Sequence, residues 1–281
     1  IKTSPSCMPA VHGLREVYRR REDWAKVVQT LELEIKLWDD DKERAGVFAQ
    51  IGRIYGERLG HRDRALHYFE SALAVDPDCS PANKALFEVF FANEEWDRAL
   101  PLAKALSQKA MRESDPNARS DFYSKRGIVC RMTGDARSAA ESLIVALEIR
   151  PENLLALDAL VELAAASPGA YDFASTFREL ERIYQKRDDV GKQWARVRMG
   201  EAVLAEREGD LDAAESFLSE SMERAPRDPD VLAALVNLHR RMRQWERAGD
   251  AIRRFLEAGA DLSLDVRADA LLLQAEIHSD G

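Results

Sequence analysis

The chain has 281 residues, 46% apolar and 32% charged, with only 14 Gly and 10 Pro. That apolar content excludes a disordered or low-complexity chain, because it supplies enough buried surface to offset the entropy of ordering. Forty-one basic against fifty acidic residues give a formal charge of −9, which excludes a general nucleic-acid binder, whose affinity comes from neutralising phosphates with Lys and Arg.

The densest basic runs, Arg19-Arg20-Arg21 and Arg240, Arg241, Arg243, read as solvated helix ends. Cys7, Cys79 and Cys130 are odd in number, far apart and without a CxxC pair. They exclude a disulfide framework and a Cys-rich zinc site, and point to a reducing compartment, hence the cytoplasm, with the oxidising periplasm as the alternative. No uncharged apolar run approaches the roughly 18 residues of a membrane span, and no basic segment leads into an apolar one at the N-terminus. A chain without membrane insertion is expected. It opens on Ile1, so a processed product or a fragment is expected.

Along the chain, residues 1–8 read as a tail and helical blocks follow. The segment "IYGERLGHRDRALHYFESALAVDPD" places an apolar helical pattern before Gly60, a charged turn, Ala65, an aromatic, Ala72 and Pro77. The same grammar returns around Gly134 and Pro151, and around Gly209 and Pro226. Each block reads as two amphipathic helices joined by a tight turn, with Gly permitting the turn and Pro stopping the second helix. Between them lie four blocks with Trp24, Trp96, Tyr171 and Trp245 where the first set has Gly-Asp.

The small residue early in each second helix serves as a ruler: Val27, Ala65, Ala99, Ala139, Ala174, Ala214 and Ala248, at spacings of 38, 34, 40, 35, 40 and 34. Such a period marks a helical solenoid. Paired sums of 72, 75 and 74 indicate a unit of four helices. The long step is ascribed to second helices that run on into charged connections such as "WDDDKERA", "MRESDPNARS" and "KRDDVGKQ". The last segment, 263–281, has the pattern of a first helix without its partner, and Leu271, Leu272 and Leu273 put apolar side chains around it. A longer array cut inside an eighth repeat is expected, with this helix as a surface for self-association.

These residues resemble the tetratricopeptide repeat. The best match is Phe48, Ile51-Gly52, Tyr55, Ala65, Phe69, Ala72 and Pro77, then Tyr123, Gly127, Ala139, Leu143, Ala146 and Pro151. The block around Tyr171 matches least: Ser167-Pro168-Gly169 interrupts its turn, and Arg178 stands where an apolar residue is expected. The resemblance implies an all-α, right-handed α-solenoid of seven helix pairs over 9–262 plus one further helix, about fifteen helices, with Phe69, Leu143 and Leu218 filling the gap to the next repeat. The doubled grammar is similar to long bacterial repeat proteins that serve assembly, motility or signalling complexes.

No HExxH, GxxxxGK[ST] or GxGxxG occurs. His12, His61, His67, His239 and His278 are scattered, and the runs Asp39-Asp40-Asp41 and Asp188-Asp189 read as turns and N-caps. No active site, metal or cofactor is expected. The resemblance places function on the concave face of the first helices, at Gln50, Arg53 and Glu57, then Lys84, Glu88 and Phe91, then Ser124, Lys125, Ile128 and Arg131. Their excess of cations suggests an acidic peptide or helix of a partner protein, with Phe91 as apolar anchor. Chaperone-binding members of the family need Asn one turn after a Lys; Lys84 is followed by Glu88, so that clamp is absent. A scaffold that binds a partner protein is expected, the alternatives being a recruiting segment of a larger enzyme or a self-assembling array. Replacing Ala139 by Asp should cost several kcal/mol through overpacking and an unpaired buried charge, read as a lowered midpoint in urea unfolding.

Overall fold

The computed structural model describes residues 8–185, 191–258 and 264–280. Within them the chain is helical throughout: α1 (Met8–Arg20), α2 (Trp24–Ile35), α3 (Asp41–Glu57), α4 (Arg62–Val75), α5 (Ser80–Ala92), α6 (Trp96–Ala110), α7 (Pro116–Met132), α8 (Ala136–Ile149), α9 (Leu154–Ala166), α10 (Phe173–Tyr184), α11 (Gly191–Glu208), α12 (Leu211–Arg224), α13 (Pro229–Arg241), α14 (Trp245–Ala258) and α15 (Leu264–Asp280). Consecutive helices pair as expected, giving an α-solenoid of helix-turn-helix repeats with α15 as an additional first helix. Two compact units are formed, Ile1–Arg112 and Glu113–Gly281, where the sequence suggests one uninterrupted array. The division falls in a connection whose residues 111–117 are all exposed and bury no apolar group. Cys7 and Asp188-Asp189 lie outside the described residues, as does the side chain of His278.

Six of the seven hairpin turns are set by one left-handed residue shortly before the second helix; the α9–α10 turn, through Pro168–Ala170, has none. Gly60, Gly134 and Gly209 hold the left-handed conformation at φ 69°, 84° and 85°, while Glu22, Glu94 and Arg243 hold it at 55°, 60° and 56°. The aromatic blocks therefore do not substitute an aromatic for Gly. Their Trp24, Trp96 and Trp245 are the first residues of α2, α6 and α14, and a side-chain-bearing residue bears the strain that glycine avoids. Caps complete the turns: the carboxylates of Asp23, Asp135 and Asp210 accept the backbone N–H of Lys26, Ser138 and Ala213, satisfying helix-start donors. Asp40, from the acidic run, caps α3 in the same way through Lys42.

The two repeat types differ in their first helices. α1, α5, α9 and α13 have 13 residues each, whereas α3, α7 and α15 have 17 and α11 has 18. The proline-stopped second helices α4, α8 and α12 all have 14 residues, and those of the other type have 12 to 15. The long step is thus one additional turn of first helix. It does not arise from run-on second helices.

The ruler slips once. In α2, α4, α6, α8, α12 and α14 the ruler N–H bonds the N-cap carbonyl, and in α10 the residue that does so is Thr176, on Asp172. Ala174 is exposed, as is Arg178, while Phe173, Phe177, Leu180 and Tyr184 form the buried stripe. Arg178 consequently occupies no apolar position, and the corrected spacings are 38, 34, 40, 37, 38 and 34.

In the α3–α4 and α7–α8 pairs the helices meet where side-chain volume is missing. A Cβ on Gly52 would lie 2.9 Å from Phe69, and one on Gly127 would lie 2.6 Å from Leu143. Phe69 and Leu143 therefore fill space inside their own pair, against the first helix. Gly127→Ala should destabilise by about 1–3 kcal/mol through overpacking. Glu94→Gly, which relieves a left-handed residue, should instead stabilise by roughly 1 kcal/mol. Urea midpoints moving in the same direction for both variants would contradict this account.

Candidate functional site

In the first unit, α3 and α5 form the walls of a groove whose floor is α4, with a cavity volume of about 900 Å³. Gln50, Arg53 and Glu57 line it from α3, and Lys84 and Glu88 from α5. Five sequence-selected residues are thereby brought together, because Gln50, Arg53 and Glu57 recur at helical spacing on one face. Leu66, Phe69 and Val89 supply the apolar floor. Phe91 does not line the groove. Its ring lies 6.1 Å from that of Phe87 and 5.7 Å, edge-on, from that of Trp96 at the start of α6, so it packs a helix pair and the anchor role passes to the floor.

Neither Arg53 nor Lys84 has an ion-pair partner among the described residues. Arg62, at the groove's end, donates from Nη2 to Asn93 Oδ1 at 2.9 Å.

The second unit treats its first-helix face differently. Ser124 is fully buried; its Oγ accepts from Asn153 Nδ2 at 2.9 Å and donates to the Ser120 carbonyl at 2.8 Å. It cannot touch a partner and is removed from the candidate site. A signal was available, since Ser120, Ser124 and Gly127 place small residues at i, i+4 and i+7, the mark of a close-packed stripe. Lys125 and Ile128 are half-buried. Arg131 reaches α9 and pairs with Glu162 at 2.7 Å.

Two arginines that the sequence did not single out organise the rest. Arg196 on α11 is buried and bonds Asp158 of α9 at 2.5 Å, Asp228 at 3.1 Å and Asp230 at 2.6 Å. Burial alone would lower the affinity of its guanidinium for the proton, but Asp228, Asp158 and Asp230 together raise it. Arg198 pairs with Glu181, Glu201 and Glu220 at 2.6, 2.8 and 3.2 Å and lies over the Trp194 and Phe217 rings. Burial pushes the carboxyls of Asp158 and Glu201 above the usual range despite these pairs.

Among the described residues no group of three His, Cys, Asp or Glu side chains could hold a metal ion. His239 is buried beside Glu215, at 3.2 Å, as a packing residue. Burial likewise pushes the Cys79 thiol up, which makes it a poor nucleophile. No described helix is long and apolar enough to cross a membrane.

Tetratricopeptide repeat models match residues 10–43 and 45–79, the stretches that hold the first two pairs. The chain carries tetratricopeptide repeats. A model described as coatomer epsilon subunit also matches this repeat protein, over 129–265. Among solved structures, a chain of Naa15/Naa10 bound to HypK-THB is 13% identical with a TM-score of 0.52, covering 96% of this chain and 39% of that one. A repeat protein from Parabacteroides merdae is 12% identical with a TM-score of 0.45, covering 95% and 98%. YrrB, described as a TPR protein with an unusual peptide-binding site, is 17% identical with a TM-score of 0.43, covering 82% and 92%. No curated protein matches this repeat protein.

Because the folded-state values of Asp158 and Glu201 lie above their unfolded ones, ionising either carboxyl opposes folding, and this cost fades as pH falls towards the folded value. Lowering the pH from about 7 to about 4, just below the ordinary Glu value, should therefore shift the stability difference between the native protein and Glu201→Gln in favour of the native protein. Urea unfolding at the two pH values measures it, and an unchanged difference would contradict the burial argument.

Proposed function

We propose that this repeat protein is a non-catalytic scaffold that binds an acidic segment of a partner protein in the α3–α5 groove of its first unit. One observation carries the reading: Arg53 and Lys84 line an apolar-floored groove without a carboxylate partner among the described residues, whereas Arg131, Arg196 and Arg198 are all bound to carboxylates. A cation already paired gains little from a second anion. One without a partner adds attraction and orientation when a carboxylate arrives.

The binding residues are then Gln50, Arg53, Lys84 and Glu88, with Leu66 and Val89 as the apolar contact. Membership in a family of interaction repeats supports the same direction, and so does the similarity to a chain found in the Naa15/Naa10 assembly with HypK. A cytoplasmic location fits the buried Cys79, which forms no disulfide.

A second reading, self-association through α15, is favoured by Leu271 and Leu272, which are 51% and 63% exposed. Light scattering over a dilution series decides it, a strict monomer at high concentration counting against it.

For the groove, Arg53→Glu combined with Lys84→Glu should weaken retention of acidic partners at least about tenfold, roughly 1.4 kcal/mol. Affinity capture with the double variant, compared by mass spectrometry with the unaltered chain, reads the loss. Retention of every partner would sink the assignment.

A further inference from the structure

The second unit carries a cleft on the opposite kind of surface. Its walls are the second helices α12 and α14, its floor is the first helix α13, and its cavity volume is about 790 Å³. The base of the cleft is apolar, with Met222 of α12 and Leu235 of α13 buried there. Four carboxylates, Glu215, Glu223, Asp250 and Glu257, face two guanidiniums, Arg247 and Arg254. Counting its Asp, Glu and Arg side chains, the lining is net negative by two charges.

Two of those carboxylates are already engaged. Glu215 Oε1 accepts from Arg247 Nη1 at 2.6 Å and lies 3.2 Å from His239 Nε2, and Asp250 pairs with Arg253 at 3.0 Å. Glu223 and Glu257 have no ion-pair partner among the described residues. Both are exposed, one on each wall.

We infer that this cleft docks a basic amphipathic segment of a partner protein. Lys and Arg suit it because their aliphatic stems can lie along Met222 and Leu235 while the charged heads reach Glu223 and Glu257. An acidic segment would meet the net negative wall and be repelled, which gives the cleft the opposite selectivity from the α3–α5 groove. The inference does not depend on that groove. With both surfaces in use, a single chain would hold two partners of opposite charge.

The test uses the full chain and a fluorescein-labelled amphipathic helical peptide of Leu and Lys, followed by fluorescence anisotropy at low and at raised salt. Glu223→Gln with Glu257→Gln should weaken binding about tenfold, with an unchanged far-ultraviolet circular dichroism spectrum. Glu246→Gln, on α14 but outside the cleft, controls for the acidic surface as a whole and should leave binding intact. No binding of the Lys peptide, no loss in the double variant, or an equal loss in Glu246→Gln would each overturn the inference.

Discussion

The architecture depends on one constraint: the two helices of a repeat can approach only where a side chain is absent. Gly52 and Gly127 leave room for Phe69 and Leu143, and Ala65, Ala139 and Ala214 are buried at the start of the facing helices. Gly200 of α11 meets Phe177 of α10 in the same manner, a Cβ there falling 2.4 Å from the ring, so the device also joins successive pairs. A helix pair by itself cannot hide both apolar faces, and stability accrues from neighbour to neighbour. Close approach is what makes those neighbour contacts dense enough to matter.

On this scaffold the four-helix period has a physical expression. The N-caps Cys79, Asn153 and Asp228, spaced by 74 and 75 residues, each reach back to the preceding long first helix. Cys79 Sγ contacts the Ala45 carbonyl at 3.7 Å, Asn153 Nδ2 donates to Ser120 Oγ at 2.7 Å, and Asp228 binds Arg196 at 3.1 Å. The contact recurs in register while its chemistry changes from a thiol to an amide to an ion pair. Short and long first helices alternate around it, so the additional turn of α3, α7 and α11 is a regular part of the array.

Charge pairing differs between the two units. In the second unit Arg131, Arg196 and Arg198 are consumed by carboxylates of their own and neighbouring repeats, which leaves these cations little attraction for an outside anion. In the first unit Arg53 and Lys84 stay available beside an apolar floor. A few side chains thus change the pairing of first-helix cations between repeats of one fold, without any change in the backbone plan.

Much of this was legible before the fold was known, and the misreadings have physical causes. Repeat phase, hairpin turns, proline stops and N-caps depend on residues within a few positions of one another, so apolar periodicity and turn chemistry specify them locally. The slip at Ala174 came from trusting a small residue where the cap-to-helix hydrogen bond, on Thr176, is the true marker. Glu22, Glu94 and Arg243 were invisible as turn residues because nothing about their side chains favours a left-handed backbone; the surrounding pair imposes it. Ser124 and Phe91 were misplaced because helical spacing says which residues share a face and leaves open whether a neighbouring repeat covers it. The amino-acid sequence by itself therefore determined the helix pairs, their order and their family. Only the tertiary structure decided which cations remain open to a partner, because Arg131 reaches Glu162, Arg196 reaches Asp158 and Asp230, and Arg198 reaches Glu181, all on helices from other pairs, at separations that no local pattern encodes.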